Sequence, residues 1–212
     1  ALSKADKEFQ KEVVRRIVDD GEKPQEAARK SKAAKIEKSR VELPTGKYRV
    51  IYADPPWQFK TSSGKGLVKS PQAHYGCESL DQIKRMPVDF AAADDSVLFM
   101  WATFPMLPEA IELMAAWGFK YKSGGAWHKK TKHGKTAFGT GYVFRSAAEL
   151  FLVGTRGKPV IRNRSTRNVI EAQVREHSRK PDCAYDLIEN LFDGPYLELF
   201  ARQTRAGWDA WG

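Results

Sequence analysis

The chain has 212 residues, of which 42% are hydrophobic, 11% aromatic and 29% charged, which suits one compact domain with an appendage and excludes a disordered or fibrous chain. Thirty-six basic residues against 26 acidic ones leave a formal charge of +10, which fits a polyanionic partner as well as simple solubility. No apolar run reaches the 18 residues of a spanning helix; Cys77 and Cys183, isolated thiols with no CxxC spacing, suit a reducing cytosol, with a single bridge between them the alternative; and His74, His128, His133 and His177 form no zinc-type set.

Residues 1–40 read as a basic helical extension, with 12 basic and eight acidic residues. Phe9, Val13, Ile17, and with them Val14 and Val18, fit one face of a helix that Asp19-Asp20-Gly21 ends. Ala27 through Ile36 reads as a second, basic helix. Leu43-Pro44-Thr45-Gly46 marks the boundary with a body spanning 41–212.

Tyr48 to Ala53 is predicted as a buried strand ending at Asp54-Pro55-Pro56-Trp57. An acid-free segment with Lys60, Lys65 and Lys69 follows, from Gln58 to Gly76. Ser79 is a candidate cap for a helix running toward Met86. Val97 to Ala102 is the next strand, and Pro108 to Trp117 has helical spacing. Phe119 to Trp127 contains a strand despite its glycine pair; Glu149 to Val153, Val169 to Ala172 and Tyr196 to Ala201 complete the set. Pro181 to Leu191 is a helix. Apolar strands alternating with helices indicate an α/β fold, a mostly parallel sheet with helices on both faces.

Three constellations carry chemistry. Asp54 sits where an apolar strand ends, a favoured ligand position in α/β sheets. The two prolines after it lack N–H groups, so the Asp54 and Pro55 carbonyls are expected to point outward with no local donor taking them. A carboxylate and a carbonyl beside an aromatic plane suit a planar amino group on a flat ring; a rigid surface turn is the plain alternative. Lys180, at the start of a helix, opposes the helix dipole unless it meets an anion there; a solvated basic turn is the alternative. Glu198, inside an apolar strand, needs a partner, either ribose hydroxyls or Arg202. Glu149 opens another buried strand, with Arg145 as a candidate ion-pair partner. Acid-free stretches at 58–76, 119–135 and 154–168 are candidate phosphate-binding rims.

In order, Asp54-Pro55-Pro56-Trp57, Leu98-Phe99-Met100-Trp101, Gly139-Thr140-Gly141, Glu149 to Gly154, His177-Ser178-Arg179-Lys180-Pro181, Ile188-Glu189 and Glu198 to Arg202 resemble the circularly permuted β-class adenine-amino methyltransferases, the family that includes the messenger-RNA adenosine methyltransferases and their bacterial and phage relatives. The resemblance covers residues 47–212. It implies a Rossmann-like fold with the catalytic tetrapeptide ahead of the donor-binding segments, S-adenosyl-L-methionine as donor, the exocyclic amino group of adenine as acceptor, and no metal. On this reading Asp54, Pro55, Pro56 and Trp57 are catalytic, with Trp57 or a neighbouring aromatic stacking the base. Asp54, Lys180, Glu198, Phe200 and Arg202 bind the donor, Lys180 through its carboxylate. Trp101, Glu149, Lys65, Lys129, Lys130, Arg162 and Arg164 face the substrate.

The messenger-RNA enzymes carry an Arg-x-His-Asn segment where this chain reads Arg202-Gln203-Thr204-Arg205. That departure favours DNA over RNA as the expected partner, in a bacterial or phage cytoplasmic setting; the same reaction on RNA and an inactive nucleic-acid-binding partner are the alternatives. Relatives also continue past the last Trp-Gly with an asparagine that meets the donor, a contact expected beyond Gly212.

Overall fold

The computed structural model describes residues 4–21, 23–24, 26–27, 31, 43–57, 80–176 and 179–212. The chain divides into two compact units, residues 1–42 and 43–212. The Ser79 cap, most of the second basic helix, Cys77, His177, Ser178 and the 58–76 segment with Lys65 lie outside the described residues.

In the first unit, α1 (Lys4–Val18) is laced on its exposed side by Glu12, which accepts from Arg15 and Arg16, and it ends at Gly21 with φ +66°. Val13 and Ile17 are half-buried as the helical face predicts. Val14 and Val18 are instead exposed, because they fall about a hundred degrees around the helix from that stripe.

The second unit is built on a seven-stranded sheet: β1 (Tyr48–Ala53), β2 (Ala92–Ala102), β3 (Lys120–Lys130), β4 (Ala148–Arg156), β5 (Val169–Gln173), β6 (Tyr196–Leu199) and β7 (Trp208–Trp211), in the spatial order β5-β3-β4-β2-β1-β6-β7. Between them lie α2 (Leu80–Lys84), α3 (Val88–Ala91), α4 (Leu107–Ala116) and α5 (Cys183–Leu191). The sheet is mixed, which corrects the expectation of a simply parallel arrangement. β4 runs antiparallel to both of its neighbours, β2 and β3, while β1 pairs in parallel with β2 and β6, β3 with β5, and β6 with β7. The cause is the connection: β3 returns directly into β4 through residues 131–147, with no crossover helix to restore a parallel direction.

Side chains alternate between two cores, as strand geometry requires. Ile51, Ala53, Leu98, Met100, Leu197 and Leu199 pack on one face with Ile83, Leu113, Met114 and Trp117. Val50, Tyr52, Val97, Phe99 and Trp101 pack on the other with Ala184, Tyr185 and Ile188 of α5. Helices therefore cover both faces, as expected. The glycine pair in β3 has a packing reason: a Cβ on Gly125 would lie 2.3 Å from the ring of Phe151, its cross-strand partner. The aromatic ring fills the space that the missing side chain leaves.

Two boundaries differ from the sequence reading. β2 begins at Ala92, five residues early, because its first part is set by ladder hydrogen bonds rather than by hydropathy; Asp94 and Asp95 within it are exposed. β6 stops at Leu199, because Phe200 takes φ +63°, a left-handed conformation that costs a bulky residue of order 1 kcal/mol or more. Stacking of its ring on Trp117 and edge contact with Trp211 offset that cost. The short edge strand β7 was not apparent in the sequence.

Candidate active site

The site forms where β1, β2 and β6 end and β4 begins. β1 delivers Asp54, and the parallel neighbours β2 and β6 end alongside it, with Ala53 opposite Met100 and Leu199. Because β4 is reversed, its first residues come to the same edge, and they carry Glu149. The segment before α5 brings Lys180 in from the other side. Arg175 fixes that segment, donating to both carboxylate oxygens of Asp182 at 2.8 and 2.7 Å and to the Lys180 carbonyl at 3.2 Å.

The Lys180 ammonium lies 2.9 Å from Asp54 Oδ2 and 3.0 Å from Glu149 Oε1, and its side chain is only 8% exposed. Trp101, on the strand between the two carboxylates, floors this bridge, with its ring centroid 5.5 Å from Nζ. Lys129 Nζ lies 3.0 Å from the other Glu149 oxygen, and Arg202 lies 4.0 Å from Asp54. The result is an alternating series, Lys129–Glu149–Lys180–Asp54–Arg202, running across the strand ends.

Burial raises the Asp54 carboxyl, opposed by the Lys180 charge, and the balance lies above the usual carboxylate range. Burial acts on Glu149 in the same direction, but Lys180 and Lys129 together hold it below that range. Burial would lower the Lys180 ammonium, yet Asp54 and Glu149 keep it above its usual value. A buried cation shared by two carboxylates is costly to disrupt, since removing it strands two charges in a low dielectric.

The structure brings Asp54, Lys180, Glu149, Lys129 and Arg202 together and revises several individual expectations. Pro55 O is not left without a local donor: the Trp57 N–H reaches back past Pro56 to donate to it at 2.9 Å. A carbonyl has two lone pairs, so one further acceptor position remains. Trp57 is 5% exposed and Trp101 is 1% exposed. The Trp57 indole donates to the Trp101 carbonyl, and the Trp101 indole donates to the Tyr52 hydroxyl at 2.6 Å. Both indoles are largely buried.

Glu149 takes lysine partners rather than Arg145. Glu198 is buried, and both its oxygens lie 2.9 Å from the Tyr185 hydroxyl, which donates to the carboxylate; burial pushes its carboxyl up to about 7. Tyr185 went unnoticed in the sequence because an aromatic residue on a helix reads as ordinary core.

The two basic segments within the described residues, 119–135 and 154–168, do not form one rim. Lys129 and Lys130 stand at the site end of β3, where Glu149 and Glu171 respectively face them. Arg162 and Arg164 line a shallow polar cavity with Asn163, Ser165 and Asn190. Arg162 pairs with Asp193, just before β6 begins, and so sits at the opposite end of the sheet from Asp54. The reversal of β4 explains this: a strand that starts at the site delivers its following loop, 157–168, to the far edge. Thr103, immediately after β2, has a buried hydroxyl without a hydrogen-bond partner among the described residues, a polar position that the sequence reading passed over. No group of His, Cys, Asp and Glu suited to a metal occurs among the described residues, and no described helix is long and apolar enough to cross a membrane.

Comparison with known proteins places this geometry. The family model MT-A70 matches residues 48–212. The Type II methyltransferase M.MunI of Mycoplasma sp is 33% identical over 204 residues, covering 88% of this chain and 85% of its own length. An N(6)-adenosine-methyltransferase MT-A70-like of Arabidopsis thaliana is 30% identical over 168 residues, 77% of this chain and 23% of its own. An N(6)-adenosine-methyltransferase MT-A70-like protein of Drosophila melanogaster is 32% identical over 161 residues, 74% of this chain and 25% of its own. The chain thus spans most of the first relative and about a quarter of the other two.

Proposed function

The chain belongs to the MT-A70 family, an S-adenosylmethionine-dependent adenine methyltransferase acting on nucleic acid, and from that premise we propose that Asp54 and the Pro55 carbonyl hold the adenine amino group while Lys180 keeps Asp54 ionised. The observation that carries this reading is the Lys180 ammonium 2.9 Å from Asp54 and 3.0 Å from Glu149. The donor has both signs, a carboxylate and two cationic centres beside a ribose diol. The crevice offers the matching set, with Arg202 and Lys180 as cations and Asp54 and Glu198 as acceptors. When bound, S-adenosylmethionine supplies an electrophilic methyl group on a sulfonium.

Adenine's amino nitrogen is a poor nucleophile because its lone pair is shared with the ring. Asp54 accepts one of its N–H bonds, and the remaining lone pair of Pro55 O accepts the other. Both bonds favour a tetrahedral nitrogen and stabilise the positive charge that grows on it during attack. The two prolines fix the acceptors before the base arrives, so the contribution is largely one of position. Asp54 need not remove a proton first, since the methylated aminium readily loses one to water. Burial alone would favour a neutral Asp54; Lys180 counters it, and Glu149 with Lys129 holds Lys180 in place. Glu198 and Arg202, at the end of β6, lie on the side assigned to the donor.

For the acceptor we take adenosine in RNA first. Relatives from plant, insect and vertebrate carry the name N(6)-adenosine-methyltransferase, and adenosine is the ribonucleoside. DNA is the second reading, favoured by the two-way coverage of the Type II methyltransferase and by Gln203-Thr204. Labelled methyl transfer to matched RNA, single-stranded DNA and duplex DNA, followed by nucleoside analysis, tests both. N6-methyladenosine from RNA supports the first reading; label confined to N6-methyldeoxyadenosine overturns it in favour of the second.

A further inference from the structure

The excursion between β3 and β4 exposes the densest aromatic patch outside the core. Residues 138–145 are exposed without interruption. Among them Phe138 is 70%, Tyr142 95%, Val143 74% and Phe144 83% exposed. Side chains of this size are normally buried, and a cluster of them in solvent marks an interaction surface. Nor is this a loose loop. Antiparallel bridges join Lys130 to Thr136 and Gly139 to Ser146, Gly139 N donates to Ser146 O at 2.8 Å, and Ala137 N donates to Lys129 O at 2.8 Å. These bonds fix the base from which the rings project, which reduces the ordering entropy lost on binding.

Charge decides what the patch fits. From Lys129 to Ala148 there is no acidic residue. Lys129 and Lys130 are neutralised by Glu149 and Glu171, but Lys132, Lys135 and Arg145 make no ion pair among the described residues. Aromatic faces interleaved with uncompensated cations are the pattern that binds unpaired bases along a phosphate chain. A protein partner of ordinary surface would gain nothing from those cations, and a duplex would present no base faces to the rings. The stem of the excursion also contains Lys129 and runs into Glu149, so the patch projects from the edge of the sheet that carries the Lys180–Asp54 site.

We propose that Phe138, Tyr142 and Phe144, with Lys132, Lys135 and Arg145, form a stacking platform for the single-stranded nucleotides that flank the target adenine. The proposal rests on a nucleic-acid acceptor and adds strand state to it. Its test is anisotropy of labelled adenine-free single strands, oligo(U) and oligo(dT), with the full chain and no donor. Removing all three rings (Phe138→Ala, Tyr142→Ala, Phe144→Ala) weakens single-strand binding by about tenfold or more per base that stacks and leaves duplex binding within about threefold. Replacing Lys132, Lys135 and Arg145 by Gln lowers the salt slope by roughly two, at about 0.7 per phosphate contact. In methyl-transfer assays the ring variant raises KM for single strands and spares donor affinity.

Unchanged single-strand affinity in the ring variant overturns the proposal. So does a wild-type dimer in sedimentation that the same variant dissolves without altering oligonucleotide binding, since the rings would then serve a protein interface. Loss of binding in a chain that methylates nothing would fault the acceptor reading and leave the platform standing. Robust methylation with unaffected binding would do the reverse.

Discussion

Replacing Lys180 by Met tests the centre of the site, because it keeps most of the side chain's length while removing its charge and its N–H donors. Two contacts of 2.9 and 3.0 Å disappear from a position 8% exposed, and the carboxylates of Asp54 and Glu149 are left facing each other. Breaking a buried pair in this way costs about 3–5 kcal/mol, against a stability of roughly 5–15 kcal/mol for a domain, and moves Tm down by roughly 6–20 °C at about 2–4 °C per kcal/mol. The loss has a pH signature. Without Lys180 the main opposition to burial at Asp54, whose carboxyl already sits above the usual range, is gone and the more distant Arg202 is left, while Glu149 loses one of the two cations holding it down. A carboxyl raised in the folded state contributes stability at low pH that is lost as pH rises through its folded value. The variant's deficit is therefore largest above neutrality and shrinks toward pH 5. Adding Glu149→Gln recovers part of it, giving a coupling above about 1 kcal/mol in a double-mutant cycle. Urea denaturation from pH 5 to 9 measures all of this. A Lys180→Met protein within about 1 kcal/mol of wild type at every pH would refute the bridge as a buried, load-sharing contact.

Asp54→Asn keeps the shape of the turn but replaces an ionised acceptor with a neutral amide. Methyl transfer falls by roughly 10²-fold or more; near-normal turnover would remove Asp54 from the reaction. Glu198, raised to about 7, contributes stability below its unfolded value near 4.5 that is lost as pH climbs through about 7. Glu198→Gln flattens that limb of the stability profile, and an unaltered profile would place the titration elsewhere. Arg205 donates twice to Glu189 at 3.0 Å and once to Asp186 at 2.8 Å, and it lies 4.8 Å from the Tyr185 ring. Arg205→Ala costs about 1–3 kcal/mol in denaturant unfolding, because Glu189 and Tyr185 lose their cover together.

What the sequence disclosed, and what it withheld, follows from the range of the interactions. The strands β1, β4 and β6 were legible because nearly every residue in them is apolar, and α5 because Pro181 and an amphipathic stretch mark it locally. Asp54 was legible for the same reason: it is the first charge after an apolar run. The Trp57 bond to Pro55 is local yet was not legible, since the N–H groups that prolines lack say nothing of the next residue folding back. The burial of Trp57 was not legible because hydropathy gives an indole at a strand end no preference between core and cleft.

The pairings, by contrast, are all non-local. Neither Glu149 nor Glu198 names its partner in the sequence, where Arg145 and Arg202 respectively stood nearer than Lys180 and Tyr185. Which partner is taken depends on strand order and direction, and here one reversal decides it. With β4 parallel to its neighbours, Glu149 would stand at the far edge beside Asp94 and Asp95, and the 157–168 arginines would stand at the site. Lys180 would then have a single buried carboxylate and no second anchor, while the mouth of the site would be lined with cations competing for Asp54. The antiparallel strand, which is the departure from a simply parallel sheet, thus creates the two-carboxylate seat of Lys180. It also turns the β3–β4 excursion, rather than the arginine loop, toward the substrate.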